Sequence, residues 1–221
     1  GRYSAKQGNG YGSEAYIVSV YEDYIVYTGY NVSTGNIIPA GCLIMPTSSN
    51  KSEPVGYPFK GSGSESDPYL IEDAQDFMLL TSGFNANTET DVTKMYGYGK
   101  YFLQTKDIDL SNVKAYVGTY AATMNQYTGA QYKSAFAGTY NGNGKTLLVN
   151  IDGPDQRSVF PYVYGMIVNT VIKGKIVGSD DAQGSAQPIR SLREGASLIN
   201  CYFDLQLSAN RVNGVVYSNY G

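Results

Sequence analysis

The sequence predicts an all-β fold: a small N-terminal β module followed by a parallel β-helix (solenoid), with one short helix near the start of the solenoid. Three observations carry this. The chain holds 22 Tyr and 26 Gly in 221 residues, with only 16% charged; Tyr and β-branched residues favour strands, and frequent Gly favours tight turns. Between Lys60 and Ile151, short apolar runs alternate with Asn-Gly and Asp-rich corners. Finally, the stretch from Val159 to Ile176 can be set against Ile189 to Leu207, so that Asn169 and Asn200 coincide at a separation of 31, each flanked by apolar triplets. A period of that size between Gly and Asn corners suits stacked coils, none of which buries its apolar face alone. Stacked Asn side chains at such a corner would hydrogen-bond to one another and to backbone amides.

In chain order, residues 1–13 are polar and Gly-rich without a hydrophobic period and read as an extended arm. Residues 14–56 form the N-terminal β module, read as a docking and assembly unit. Within it, Ala15 to Tyr27 gives two strands around Glu22-Asp23, or one long bent strand. Asn31 to Asn36 is a loop, and Ile37 to Met45 is a strand, a Pro-Gly kink and a strand. Pro39 lacks the N–H a ladder needs, which places it at an edge or turn. Residues 57–66 read as a linker, and residues 67–221 as the solenoid.

The solenoid opens with a short strand at Leu70-Ile71. Glu72 to Leu80 has apolar residues at helical spacing behind an acidic start, which suits a helix N-terminus and predicts a short helix ending near Gly83. Tyr101 to Leu110 alternates as one strand with Asp107 and Asp109 on the same face. Phe136 to Tyr140 is another strand, Asn141 to Gly144 a tight corner, Thr146 to Ile151 a third strand, and a further run begins at Val212.

Composition also narrows function. With no His, Ser-His-Asp and Cys-His catalysis are excluded and the commonest transition-metal ligand is missing. A net charge of −3 without a Lys/Arg cluster argues against a nucleic-acid partner. No apolar run approaches the roughly 20 residues of a membrane span. Cys42 and Cys201 lie in apolar runs without metal spacing and are expected as buried free thiols rather than a disulfide. The start at Gly1 without Met, and the end just after an apolar run, lead to the expectation of a chain trimmed from, or part of, something longer.

Gly63, Asp67-Pro68-Tyr69-Leu70-Ile71, Ala74 and Asp76-Phe77, then Tyr101-Phe102-Leu103, Thr105 and Asp107-Ile108-Asp109-Leu110, then Phe136 and Gly138 to Leu147, together resemble a known family. The likeness is to the opening coils of bacterial surface proteins with GLUG repeats, which include large adhesins and the β-helical parts of some surface peptidases. It covers roughly Lys60 to Leu207 and implies a right-handed parallel β-helix. Where that family has Gly-Leu-Phe-Gly, this chain has Val159-Phe160-Pro161-Tyr162 and later Gly214-Val215-Val216, so the later coils depart from the pattern. Gly35 to Gly41 resembles loops in bacteriophage head-fibre and decoration proteins.

Candidate chemistry is sparse. Asp107 with Asp109 would suit paired-carboxylate work or Ca²⁺, whose hard-oxygen preference Asp180-Asp181 also meets; the family resemblance gives Asp107 and Asp109 the plainer role of shaping a corner. Arg190 and Arg193 with Asp155 are the groups a polysaccharide-cleaving β-helix would need, and nothing in the sequence brings them together. No catalytic, cofactor-binding or metal residue is assigned. Tyr3, Tyr11, Tyr96, Tyr98, Tyr120, Tyr127 and Tyr132 fall in polar or Gly-rich segments, where exposed rings suit protein interfaces or surface glycans. The expectation is a non-enzymatic structural or adhesive protein of an extracellular or cell surface, self-associating or docking to other subunits through its N-terminal module. The first alternative is a virion protein, a capsid fibre or decoration protein; the second is a polysaccharide-cleaving enzyme.

Overall fold

The computed structural model describes residues 14–20, 24–31, 36–46, 59–85, 89, 91–111, 135–152, 156–178, 185–212 and 214–219. They are mostly strand, with one α-helix. The N-terminal module is an antiparallel sheet of β1 (Glu14–Val20), β2 (Tyr24–Asn31) and β3 (Asn36–Pro46), in that order. Ala15 to Tyr27 thus resolves into two strands. Ile37 to Met45 belongs to one strand instead of two: Ile38 faces Gly29 and Leu43 faces Tyr27, so Pro39 to Cys42 bulge out opposite Thr28. The bulge absorbs the N–H that Pro39 lacks.

The turn before the next strand is more ordered than a linker. Phe59 is buried and meets Phe102 edge-on at 5.9 Å, and the Ser62 and Gly63 amides donate to the Asp67 carbonyl at 3.1 and 2.9 Å. Then follow β4 (Tyr69–Ile71), α1 (Ala74–Asn85), β5 (Tyr101–Gln104) and β6 (Ile108–Leu110). Tyr101 to Leu110 is therefore two strands, and they belong to different sheets. Gln104 explains the break. It is fully buried, its Nε2 donates to the Lys106 and Thr146 carbonyls at 2.8 and 3.0 Å, and its Oε1 accepts from the Tyr140 hydroxyl at 2.8 Å. An inward polar side chain that satisfies turn carbonyls bends the chain there. The expected strand from Phe136 to Tyr140 likewise divides at Ala137-Gly138 into β7 (Ala135–Phe136) and β8 (Thr139–Asn141).

From β9 (Thr146–Asp152) the order becomes regular: β10 (Gln156–Arg157), β11 (Phe160–Val163), β12 (Met166–Val168), β13 (Val171–Val177), then β14 (Ser185–Ala186), β15 (Ile189–Leu192), β16 (Ser197–Ile199), β17 (Tyr202–Ser208) and β18 (Val216–Asn219). The parallel strands form three sheets, ordered β4-β5-β8-β12-β16, β6-β9-β13-β17 and β7-β11-β15-β18, and from β7 to β17 each pass of the chain adds one strand to each of them, while β10 pairs with β14. Val168 pairs with Ile199, so Asn169 and Asn200 occupy equivalent places, as the repeat predicts. Earlier in the pass the alignment shifts. Tyr164-Gly165 connects β11 to β12, but Arg193 to Ala196 connects β15 to β16, and the longer link is a turn with Gly195 at φ 80°.

The three sheets enclose an apolar core in which rings follow one another: Phe102 to Phe136 at 5.7 Å, Phe136 to Phe160 at 6.1 Å and Phe160 to Tyr140 at 5.3 Å. Helix α1 closes one end of this core. Asp73 caps it, its Oδ1 accepting from the Asp76 amide at 3.0 Å. The helix buries Phe77, Met78, Leu79 and Leu80 and lies beside β4, β6 and β7, the first strands of the three sheets. Strand β3 also lies beside α1. At the far end, Phe203, Leu205 and Leu207 of β17 face inward but stay half-buried, whereas Ile172 and Ile176 one pass earlier are fully covered.

Backbone stacking leaves little room at Gly174, in the middle of β13. It has φ 116°, and a Cβ there would overlap the Val149 carbonyl oxygen of the preceding pass. At Gly144, φ is 67° but no atom lies within 4 Å. Gly174→Ala is therefore expected to cost about 2–6 kcal/mol, from strain plus overpacking, and Gly144→Ala only about 1–2 kcal/mol. Urea unfolding of the two variants checks this; equal losses would show that the close approach at Gly174 is relieved by movement of β9.

Candidate functional site

Period-2 alternation on the sheet β4-β5-β8-β12-β16 sends Phe102, Tyr140 and Ile167 into the core, so their neighbours face out. Tyr101 and Leu103 of β5, Thr139 and Asn141 of β8, and Met166 and Val168 of β12 line a groove of about 500 Å³ across the outer face, with Ile199 of β16 also at its wall. Glu65 and Pro68 contribute to the same groove. They are placed by the compact turn around Asp67, whose Oδ2 accepts from the Ser62 amide at 2.9 Å. The lining is apolar and aromatic with a few polar groups and one carboxylate, a composition that suits binding.

Asn141 joins this groove to the corner of the stack. Its Oδ1 accepts from the Asn143 amide at 2.9 Å and from Asn169 Nδ2 at 3.2 Å, and Asn169 Oδ1 accepts from Asn200 Nδ2 at 2.8 Å. With two donors already on its Oδ1, Asn141 offers the groove its Nδ2 donors. Asn169 and Asn200 sit at φ 49° and 52°, left-handed backbone that Asn tolerates because its short amide bonds locally. The ladder between Asn169 and Asn200 was legible as a repeat. Asn141 was not, because Val168 pairs with Asn141 and the place equivalent to Asn169 is Gly142; the Asn-Gly dipeptide at 141–142 was the available signal.

The carboxylates do not assemble. Asp107 lies in the corner between β5 and β6, where its Oδ1 accepts from the Thr146 amide of the next pass at 2.7 Å. Asp109 is exposed on β6, and its Oδ1 accepts from the Ser111 amide at 2.8 Å; hydrogen bonds from Ser111 hold its carboxyl below the ordinary value. They do not share the strand face expected of them. Among the described residues no group of three or more His, Cys, Asp or Glu is arranged to hold a metal ion. Asp155, Asp180 and Asp181 lie outside the described residues. Arg190 is buried on β15, and the Arg193 guanidinium lies 5.8 and 5.7 Å from the ring centres of Tyr162 and Tyr164, a cation–π arrangement. Cys201 is a free, partly buried thiol whose Sγ is 3.3 Å from the Ile167 carbonyl.

Of the tyrosines expected at the surface, Tyr98 is 49% exposed. Tyr96 is not a surface ring. It stacks on Phe102 at 6.3 Å and lies against Gly83 of α1, a contact that local polarity around Tyr96 conceals. Tyr3, Tyr11, Tyr120, Tyr127 and Tyr132 lie outside the described residues, as does the arm at 1–13.

Two tests follow from these contacts. Asn169→Asp keeps the left-handed backbone and the acceptor but loses the donor to Asn141; a loss of about 1–3 kcal/mol is expected in denaturant unfolding. Asn143→Asp, at φ 54°, is the control and should be near neutral. The second concerns Asp76, whose carboxyl burial pushes up from 3.8 to about 6, with repulsion from Asp73 and Glu72 adding, against the Glu72 amide and Lys60. Because the folded-state value is the higher one, this group stabilises the fold below pH 3.8 and that contribution is lost as pH rises through about 6. Asp76→Asn keeps an acceptor for the Glu72 amide, so its thermal midpoint should exceed the native one by about 2–5 °C at pH 7. The gap should close toward pH 4; a constant gap would point to packing instead of charge.

No protein-family model, curated protein or solved structure matches this chain.

Proposed function

We propose that this chain is a non-enzymatic structural and adhesive subunit of an extracellular surface. In this reading the three parallel sheets are the faces of a β-helix and each pass of the chain is one coil, right-handed as parallel crossovers overwhelmingly are, and the likeness to GLUG-repeat surface proteins supports the same winding. The observation that carries it is the one-strand-per-pass order of all three sheets, which gives a stiff stack with a long, continuous outer face. Such a scaffold suits a stalk or fibre that holds a binding surface away from its base. The groove past Tyr101 and Asn141 is the face it would present, to a surface glycan or to a neighbouring subunit, since an aromatic ring beside amide donors serves both. The N-terminal sheet is the docking module, and a virion surface is the alternative setting for the same architecture.

Electron microscopy of the native assembly tests this. Filaments or stalks on a cell envelope are the expected image, and fibres on phage heads would select the alternative setting. Isolated particles that depolymerise uronate polymers in a chelator-sensitive manner would overturn the reading in favour of a β-helix enzyme.

A further inference from the structure

We propose that the groove across the outer face of the sheet β4-β5-β8-β12-β16 binds an uncharged, linear glycan that lies along the stack. The inference rests on the adhesive-subunit reading and names its ligand. Strand pairing builds the groove in two rows. Tyr101 faces Thr139, which faces Met166; two residues further along the strands, Leu103 faces Asn141, which faces Val168. Neighbours within a row are about 4.8 Å apart and the rows about 7 Å, so the groove is longer across the strands than along them. The floor restricts what can lie there. Strand β5 is paired with β4 and β8, β8 with β5 and β12, and β12 with β8 and β16, so the backbone groups beneath the groove are already engaged. A peptide adds to a sheet at an edge, not on a face. Its amides would meet Leu103, Met166 and Val168 here, with no partners.

The ligand must therefore be read by side chains, and those present match a sugar. Tyr101 is half-buried and supplies a flat ring for the C–H face of a pyranose. Asn141 supplies Nδ2 donors, oriented because its Oδ1 already accepts from the Asn143 amide and Asn169. The Thr139 hydroxyl donates or accepts, and the Glu65 carboxylate accepts. Sugar hydroxyls do both, so they answer all three groups, which an alkyl chain would leave unpaired. Charge then selects the class of sugar. Among the described residues lining the groove, Glu65 is the one charged group. Lys60, at the start of the same turn, is paired with Glu72, and the whole chain carries a net charge of −3. A uronate would bring its carboxylate beside Glu65 with no Arg or Lys of the groove to receive it, whereas an uncharged sugar meets no such repulsion.

The experiment probes an immobilised panel of uncharged hexose and N-acetylhexosamine oligosaccharides, with uronate oligosaccharides beside them, using the full chain at low and high salt. The native chain should hold at least one uncharged glycan and bind uronates of equal length roughly fivefold more weakly at low salt, as one nearby carboxylate produces. That ratio should narrow in high salt, which screens the wall charge, and in Glu65→Gln. Tyr101→Leu removes the ring but keeps apolar bulk, and should weaken binding of the uncharged glycan at least about tenfold. Thr139→Val, close in shape, should weaken it about fivefold. Both should keep native circular dichroism, and Lys175→Ala, exposed on β13, should bind as the native chain does. No binding to any uncharged glycan, or tighter binding to uronates, would overturn the proposal and leave the subunit reading intact. Self-association of the native chain that Tyr101→Leu disperses would overturn it in favour of a neighbouring subunit in the groove. Shortened uronate products on the panel would overturn the subunit reading as well.

Discussion

Parallel backbone pairing between successive passes is the constraint from which the other features follow. When Val171 to Val177 pairs residue for residue with Thr146 to Asp152 on one side and Tyr202 to Ser208 on the other, every inward side chain rests on its counterpart above and below. A slip of one residue would turn Ile172 and Ile176 outward and bring Lys173 and Lys175 into the core, so register is fixed by the cost of burying charge. The same pairing dictates where side chains must be missing. Gly174 lies level with Val149 and Leu205, and the strand passes close to the Val149 carbonyl with no room for a Cβ.

Corners obey a different rule, since the chain must turn without leaving buried amides unsatisfied. Three amide side chains meet this need in sequence. Asn200 donates to Asn169 and Asn169 to Asn141, while the Gly142 and Gly144 amides donate to the Val168 and Asn169 carbonyls of the next pass. A donor and acceptor on one side chain let each rung bond in both directions, which an ionised Asp at the same place, having no donor, does not do. Asp107 serves the analogous corner at the start of the stack, where its carboxylate needs only to accept from Thr146.

What was legible in the sequence follows from this division. Strands whose apolar residues alternate and whose ends carry Gly or Asn were readable: Thr146 to Ile151 falls on β9 and the acidic start at Glu72 leads into α1, whereas the run expected from Val212 overlaps β18 only from Val216. The sheet to which a strand belongs was not readable. Tyr101 to Leu110 alternates without interruption, yet Gln104 bonds across to Lys106, Thr146 and Tyr140, partners up to 42 positions away. No local pattern reports such a contact. The groove was illegible for the same reason: Tyr101, Asn141 and Met166 come together through pairing alone, and each resembles an ordinary outward strand residue. The Asn169–Asn200 contact was found because a repeat makes a distant contact visible locally.

The placement of that groove bears on how tightly it can hold anything. Its polar group Asn141 sits on β8 between β5 and β12, with Oδ1 fixed by the Asn143 amide and Asn169. Tyr101 and Met166 stand on neighbouring strands whose backbones are paired to the same β8 residue, Thr139. A surface assembled from loops loses conformational entropy when a partner orders it, roughly 0.5–1.5 kcal/mol for each immobilised side chain. Here the strands are already ordered by the pairing that builds the core, and the ladder has fixed the amide's orientation. The stack therefore lends rigidity outward: the hydrogen bonds that align successive passes also hold the groove's donors in place before any partner arrives.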